Sequence, residues 1–455
     1  MTALKKYFGT DGIRGAVGND PITPDFMLRL GYAAGKVFSK THASEAAGRT
    51  KVLIGKDTRL SGYMLESALQ SGLAAAGVDV LLTGPLPTPG VAYLTRVLRL
   101  SAGIVITASH NPYQDNGVKF FSAQGSKLSD AVEFQIEQYL AQGLDAVISD
   151  DIGKAKRVVD SVGRYAEFCK SSFPQALDLS GMSVVLDCAH GATYQVAPAV
   201  FRELGATVTV MSDEPDGVNI NLNCGALHPE AVRERVLHEN ADIGISFDGD
   251  GDRLMMVDAE GVIYDGDQLL YVIASHRKLD GQDGIIGTLM TNLAIENGFK
   301  RLNIPFMRSA VGDRYVYEKL IENNWVLGGE GSGHIICLDK HTTGDGIVSA
   351  LQVLGALRQS NQTLAQCLSA VRLYPQLLHN IRLVRKLNDG ELAQIQEVGG
   401  VISEQLGPKY RVLIRESGTE PLLRIMVEGE SNTVVKKAIK GLADSIQALL
   451  PQKTH

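Results

Sequence analysis

Apolar residues in this chain fall into short runs set between polar stretches. The runs at 52–54, 78–82 and 102–106 are bounded by glycines or polar turns, the pattern of buried strands. Between them, 25–39 and 63–76 repeat apolar residues at helical spacing, and Gly77 stops the second of these. The prolines of Gly84-Pro85-Leu86-Pro87-Thr88-Pro89 predict irregular structure there. Strands alternating with helices predict an α/β layer. The rhythm then returns twice. One unit predicts strands at 184–186, 207–211, 243–247 and 254–257, with helices running to Leu204 and over 230–239. The next predicts helices at 267–276, at 293–298, from Gly312-Asp313 onward and on to Leu357, with strands at 284–288, 304–309 and 325–327. Beyond Val371 the pattern changes. Strands at 381–384, 411–414 and 422–427 with helices at 390–405 and 432–449 predict a small α+β lobe. The expected domains are therefore 1–152, 153–257, 258–370 and 371–455.

Length and composition agree with that division. A chain of 455 residues allows about three or four domains. It is 44% hydrophobic and 21% charged, which is ordinary globular material. The 44 Lys+Arg against 51 Asp+Glu give a net charge of -7, which argues against non-specific nucleic-acid binding. A local basic pocket for a phosphorylated metabolite is still allowed. Five scattered cysteines without a C-x-x-C pair exclude the usual zinc spacings and a disulfide framework. With no apolar signal-like segment in 1–14 and no long apolar run, a cytoplasmic protein with no membrane contact is expected.

The candidate chemistry sits in loops that follow strands. Thr107-Ala108-Ser109-His110-Asn111-Pro112 ends the 102–106 run and offers a hydroxyl held rigidly but within reach of substrate. By itself a Ser-His turn can equally be a cap. Asn116-Gly117 predicts a hairpin turn, whose returning strand brings Lys119 back toward the serine; a solvent-facing lysine is the alternative. Asp248-Gly249-Asp250-Gly251-Asp252-Arg253 points several carboxylates at one centre, which suits Mg²⁺ better than Ca²⁺. Arg253 could offset their charge or reach a phosphoryl group. Gly328-Gly329-Glu330-Gly331-Ser332-Gly333-His334 offers hydrogen-bonding groups of the kind that meet sugar hydroxyls and amines. Arg415-Glu416-Ser417-Gly418-Thr419-Glu420-Pro421, with Arg424 beyond it, reads as a phosphate cradle or else a tight β-turn. Gly9 to Gly15 sets Arg14 among glycines, either as a fork for phosphate or as a solvated turn. The loop at 212–229 is longer than packing requires, and such loops are often functional.

These four loops in this order, with Phe8-Gly9-Thr10-Asp11-Gly12-Ile13-Arg14-Gly15 ahead of them, resemble the α-D-phosphohexomutase superfamily over essentially the whole chain. The resemblance implies three related α/β mixed-sheet domains and a smaller α+β C-terminal domain around a central cleft. It implies a phosphoserine at Ser109, with Asp248, Asp250, Asp252 and the serine phosphate holding one Mg²⁺. Glu330, Ser332 and His334 would bind the sugar; Arg415, Ser417, Gly418, Thr419 and Arg424 would hold the phosphate that is not reacting. Arg14, Lys119 and Arg253 would face the transferring phosphoryl group. Lys119 and His110 are the candidates to take the substrate's proton, with Lys119 favoured by its returning strand. The expected ligands are a sugar phosphate and a hexosamine 1,6-bisphosphate intermediate, and a homodimer is possible. Within the superfamily the chain is most similar to the bacterial phosphoglucosamine mutase branch. Gly331 stands where phosphomannomutase/phosphoglucomutase enzymes usually carry methionine, whereas Thr107 is more common in the phosphomannomutases.

Overall fold

The computed structural model describes residues 5–42, 48–277, 283–416 and 422–450. Among these the first sheet is built from β1 (Ile13–Ala16), β2 (Lys51–Lys56), β3 (Asp79–Pro85), β4 (Ala102–Ile106), β5 (Asp115–Ser122) and β6 (Ala155–Arg157). Its order is β1-β5-β4-β2-β3-β6. The second contains β7 (Ser183–Asp187), β8 (Thr207–Met211), β9 (Ile243–Phe247), β10 (Leu254–Asp258) and β11 (Ile263–Tyr264), ordered β11-β10-β9-β7-β8. The third contains β12 (Ile285–Thr288), β13 (Phe306–Ser309), β14 (Leu327–Gly329) and β15 (Ile335–Cys337), ordered β13-β12-β14-β15. The fourth is antiparallel throughout, with β18 (Leu422–Gly429) between β16 (Gln376–Arg382) and β17 (Tyr410–Glu416).

One four-strand unit underlies the first three sheets. In each, a central strand (β2, β7, β12) pairs parallel with the next two strands in sequence, one on either side. The outer one of these on the functional side (β4, β9, β14) then pairs antiparallel with the strand that follows it (β5, β10, β15). Helices such as Ser61–Ala75, Val196–Glu203 and Leu293–Arg301 make the first crossover. The connections β4–β5, β9–β10 and β14–β15 are therefore equivalent places in one repeated unit. They are 107–114, 248–253 and 330–334, the serine, acidic and Glu-Ser-His loops.

Several local expectations are corrected. Asn116 and Gly117 are not a turn but buried strand residues, with Gly15 opposite Asn116 and Arg14 opposite Gly117 across β1. Glycine is needed because a Cβ at 117 would lie 2.6 Å from the Ile13 carbonyl oxygen and 2.8 Å from that of Thr107. Lys119 still returns beside Val105, as the antiparallel pairing requires. The irregular stretch expected at 84–89 shrinks to Leu86 and Pro87: β3 runs through Pro85, and the helix Thr88–Val97 has Pro89 in its first turn, where no backbone donor is needed. Strand β6 lies beyond residue 152 yet joins the first sheet, and β11 lies beyond 257 yet joins the second. Such short edge strands leave little mark on the apolar pattern.

One large apolar core runs through the first three domains, joining Leu86 and Val91 to Phe173 and Val196 and to Leu269 and Ile347. The other face of the first sheet has its own core around Phe26, Leu30 and Leu69, and the C-terminal sheet has another around Ile395, Leu423 and Leu442. No described helix is long and apolar enough to cross a membrane.

Candidate active site

The serine loop is held by hydrogen bonds more than by apolar contact. Ser109 has φ of 52°, in the left-handed region that a residue with a Cβ occupies at a cost of about 1–3 kcal/mol. Its backbone N–H donates to Thr107 Oγ1 at 2.9 Å, and Thr107 Oγ1 donates to Asp57 Oδ2 at 2.7 Å. Arg59 is wholly buried and paired with Asp57, and it donates to the carbonyls of Ser109, Asn111 and Pro112. The Ser109 hydroxyl is thereby aimed across the domain boundary, donating to Asp248 Oδ2 at 2.6 Å, with His110 Nδ1 at 3.3 Å.

The acidic loop brings Asp248, Asp250 and Asp252 together with ligand oxygens within 4.8 Å of one another, all three side chains buried. Thr88 Oγ1 donates to Asp250 Oδ2 at 2.7 Å, tying this loop to the first domain. Lys119 Nζ donates to Asp250 Oδ2 at 2.9 Å and to Asp252 Oδ2 at 3.0 Å. Buried Oδ1 atoms of Asp250 and Asp252 have no hydrogen-bond partner. Burial, followed by Asp252 and Asp250, pushes the Asp248 carboxyl well above the usual carboxylate range. Burial acts the same way on Asp252, but Lys119 and His334 hold it well below that range. Carboxylates crowded so closely, with two oxygens left unpaired, fit a divalent cation.

Charged groups then alternate around the cleft. Burial favours a neutral Lys119, yet Asp11, Asp250 and Asp252 hold its ammonium pKa well above the ordinary lysine value. Lys127 Nζ spans the first and third domains, 2.8 Å from Asp11 Oδ1 and 2.6 Å from Asp313 Oδ2. His334 lies between Asp252 (3.7 Å) and Asp313 (3.6 Å), which raise its pKa against the effect of burial. His110 behaves oppositely: burial, then Arg253 and Arg14, lower it to about 4. Arg14 pairs with Asp11, and Arg253 Nε lies 3.8 Å from Asp252 Oδ1. Glu330 Oε1 accepts from the Gly312 N–H at 2.9 Å, and Ser332 is exposed at the tip of its loop.

Arg415 and Arg424 face each other across β17 and β18. With Met290 of the third domain, Leu378, Asn380, Leu413 and Met426 they line a cavity of about 370 Å³. Burial, then Arg424, lowers the pKa of Arg415, so an anion placed there would relieve the pair. Ser417, Gly418 and Thr419 lie outside the described residues.

The structure thus gathers Ser109, His110, Lys119, Asp248, Asp250, Asp252, Arg253, His334 and, through Asp11, Arg14. Arg415 and Arg424 belong to a separate lobe. Sequence reasoning missed Asp11, Thr88, Lys127, Asp313 and Arg59 as parts of the site. Asp11 stood in the glycine-rich opening cluster and Arg59 in a Gly-and-charge cluster after the 52–54 run, while Thr88, Lys127 and Asp313 carried no local signal.

Comparison with known proteins gives matches along nearly the whole chain. Residues 5–146, 163–261 and 265–374 match the phosphoglucomutase/phosphomannomutase alpha/beta/alpha domains I, II and III, and residues 378–445 match the C-terminal domain of the same family. A phosphoglucosamine mutase of Nitrosospira multiformis is 60% identical over 447 residues, covering 97% of this chain and 96% of that protein. A phosphoglucomutase/phosphomannomutase family protein of Burkholderia thailandensis superposes with a TM-score of 0.81 at 23% identity, covering 97% of each chain. The N-acetylphosphoglucosamine mutase of Aspergillus fumigatus, solved with GlcNAc-6P and magnesium, superposes with a TM-score of 0.67 at 15% identity, covering 98% of this chain and 96% of that one.

Proposed function

The chain belongs to the phosphoglucomutase/phosphomannomutase family, and from that premise we propose that it interconverts glucosamine 6-phosphate and glucosamine 1-phosphate, carrying the migrating phosphoryl group on Ser109. The observation that carries this reading is the Ser109 hydroxyl, 2.6 Å from Asp248 in a buried acidic triplet that reaches it from another domain. Glucosamine is the sugar because the 60%-identical relative is named for it. Thr107 does not weigh against this. It is buried, and its two hydroxyl hydrogen bonds run to Asp57 and to the Ser109 N–H, both of which a serine could make.

In the proposed reaction the bond from Ser109 Oγ to phosphorus breaks as a bond from the substrate's free hydroxyl to phosphorus forms. The hydroxyl gives up its proton and Oγ gains one, so a 1,6-bisphosphate and a free serine result. That intermediate turns over and returns its other phosphate to Ser109. The charge spread over the transferring group is met by Lys119, Arg253 and Arg14, and positioning with electrostatic stabilisation supplies most of the acceleration. Asp248, Asp250 and Asp252, with an oxygen of the serine phosphate, would hold one Mg²⁺, which supplies further neutralisation of that charge when bound. Lys119, whose pKa Asp11, Asp250 and Asp252 raise, stands beside the acidic triplet where it can meet the transferring phosphoryl group. His110, with Nδ1 3.3 Å from Ser109 Oγ, and Lys119 are the two groups beside the serine that could move the proton. Glu330, Ser332 and His334 would take the sugar. Arg415 and Arg424, with Ser417, Gly418 and Thr419, would grip the idle phosphate, and the C-terminal lobe would regrip after the turn.

A coupled assay with the 6-phosphates of glucosamine, glucose and mannose, run beside intact-mass measurement, tests the reading. Glucosamine 6-phosphate is expected to lead in kcat/KM by at least about tenfold, and one phosphate is expected on Ser109. Ser109→Ala should lose turnover by roughly a thousandfold or more while still binding sugar phosphate. Full activity in that variant, or a preference for glucose or mannose, would overturn it.

A further inference from the structure

The backbone of Ser109, in the left-handed region, is held from two domains. Thr107 and Arg59 belong to the first domain, as the serine does. A further pair of hydrogen bonds arrives from the second. Asn221 Nδ2 donates to the Ser109 carbonyl at 2.9 Å and to the Asn111 carbonyl at 3.0 Å. Asn221 sits in the long loop between β8 and the helix Pro229–Glu239, anchored where its own N–H donates to the Ala189 carbonyl at 2.9 Å. Its φ is 59°, a conformation that asparagine tolerates better than most residues with a side chain. The acidic loop closes the arrangement from below. A Cβ at Gly249 would lie 2.7 Å from both Asn221 Nδ2 and the Ser109 carbonyl oxygen. Bare glycine, the Asn221 amide and the serine loop are in direct contact.

We propose that Asn221 is a positioning residue for phosphoryl transfer, fastening the serine loop to the second domain so that Ser109 Oγ stays aligned with the acidic triplet. This rests on reading Ser109 as the phosphoryl carrier. An amide suits the place: one neutral NH₂ group supplies two donors to the two carbonyl oxygens that Arg59 also reaches from the first domain. An aspartate of the same shape supplies none and sets its charge against both. Through Asn221 the loop at 212–229 reaches the nucleophile at the seam with the neighbouring domain.

The test compares wild-type protein with Asn221→Asp, which keeps the shape and the backbone conformation, and Asn221→Gly, which keeps the backbone freedom and removes the amide. Steady-state kcat and KM for glucosamine 6-phosphate are measured with the folded fraction and with phosphate on Ser109 by intact mass. Displacing a reacting group by about 1 Å costs on the order of 100-fold, so kcat per folded molecule should fall roughly 10- to 100-fold, further in Asp than in Gly. KM should stay within about twofold, because the sugar and the idle phosphate are held by other loops. If both variants keep the wild-type kcat per folded molecule, however far their melting temperatures drop, Asn221 is merely structural and the proposal is overturned. A fall in kcat matched by an equal rise in KM overturns it as well. Wild-type protein that never carries phosphate on Ser109 sinks the underlying carrier reading instead, and the wild-type mass reports this separately.

Discussion

Asp345 shows how one residue's surroundings set its chemistry. Its Oδ1 accepts from the Val348 N–H at 3.0 Å, capping the helix Gly346–Ser360, and its Oδ2 accepts from the Tyr165 hydroxyl at 2.7 Å. Burial nonetheless pushes its pKa up to about 6. A carboxyl raised in the folded state favours folding below its unfolded pKa, and that contribution is lost as pH rises through the folded value. Wild-type protein should therefore lose roughly 3 kcal/mol relative to Asp345→Asn between about pH 4 and pH 7, asparagine keeping both the cap and a partner for the tyrosine. Urea unfolding of the two proteins across that range checks the sign; parallel curves would contradict it. Lys119 and His110 teach the same lesson in the cleft. Lysine is the stronger base in water, but three carboxylates hold it protonated, whereas burial and two arginines leave the histidine neutral.

At the scale of elements, the repeated unit explains why three unlike loops meet. A strand edge that turns back antiparallel leaves its connection at the carboxyl end of a parallel pair, where ligands of open α/β sheets bind. Each unit fills that connection differently: with a strained serine, with alternating aspartates and glycines, or with a carboxylate and an imidazole. The third loop is also clipped to the second unit, since the Leu254 N–H donates to the Gly333 carbonyl at 3.2 Å. Gly333 has φ of 92°, and a Cβ there would lie 2.1 Å from the Leu254 carbonyl oxygen. Gly333→Ala should cost about 2–4 kcal/mol and lower kcat/KM by displacing Glu330 and His334. Chemical unfolding and the mutase assay measure both, and an unchanged unfolding midpoint would show that the loop is free to yield.

Across the whole molecule, the first three domains share a continuous core, so their relative placement is as rigid as packing makes it. The C-terminal domain differs. Its core is separate, and polar ties join it to the third domain: Gln376 to the Met290 carbonyl, Arg411 to the Thr291 carbonyl, and the Leu293 N–H to Glu428. Hydrogen bonds of this kind are more easily exchanged than interlocked side chains, which suits the regripping proposed for this lobe. Between the first and third domains, Lys127 is the cation that lets Asp11 and Asp313 approach the same seam. Lys127→Met should leave Asp11 to Arg14 and Asp313 to His334, with no lysine between the two carboxylates, and destabilise the protein by on the order of 2 kcal/mol. It should also lower kcat, because Asp11 and Asp313 stand next to Lys119 and His334. Thermal unfolding with the assay checks this, and full stability in the variant would show the bridge to be solvated and slack.

Most strands and helices, the division into three α/β units and a lobe, and the four candidate loops were legible in the sequence, but the short strands β1, β6, β11 and β15 and the helix Ser161–Ser171 were not. Periodicity and glycine-rich punctuation are local properties, so the chain displays them without being folded. Ser109, the aspartates of 248–252, and Glu330 with His334 stood out because one short loop concentrates each set. What the tertiary structure decided is of another kind. Asn116-Gly117 looks like a turn until β1 pairs with it, and Lys119 looks like an ordinary strand lysine until Asp250 and Asp252 close on it from another domain. Thr88, Lys127, Asn221 and Asp313 act only through partners far along the chain. A side chain's charge state and hydrogen bonds depend on distances of a few ångströms, and those distances exist only after the domains have met.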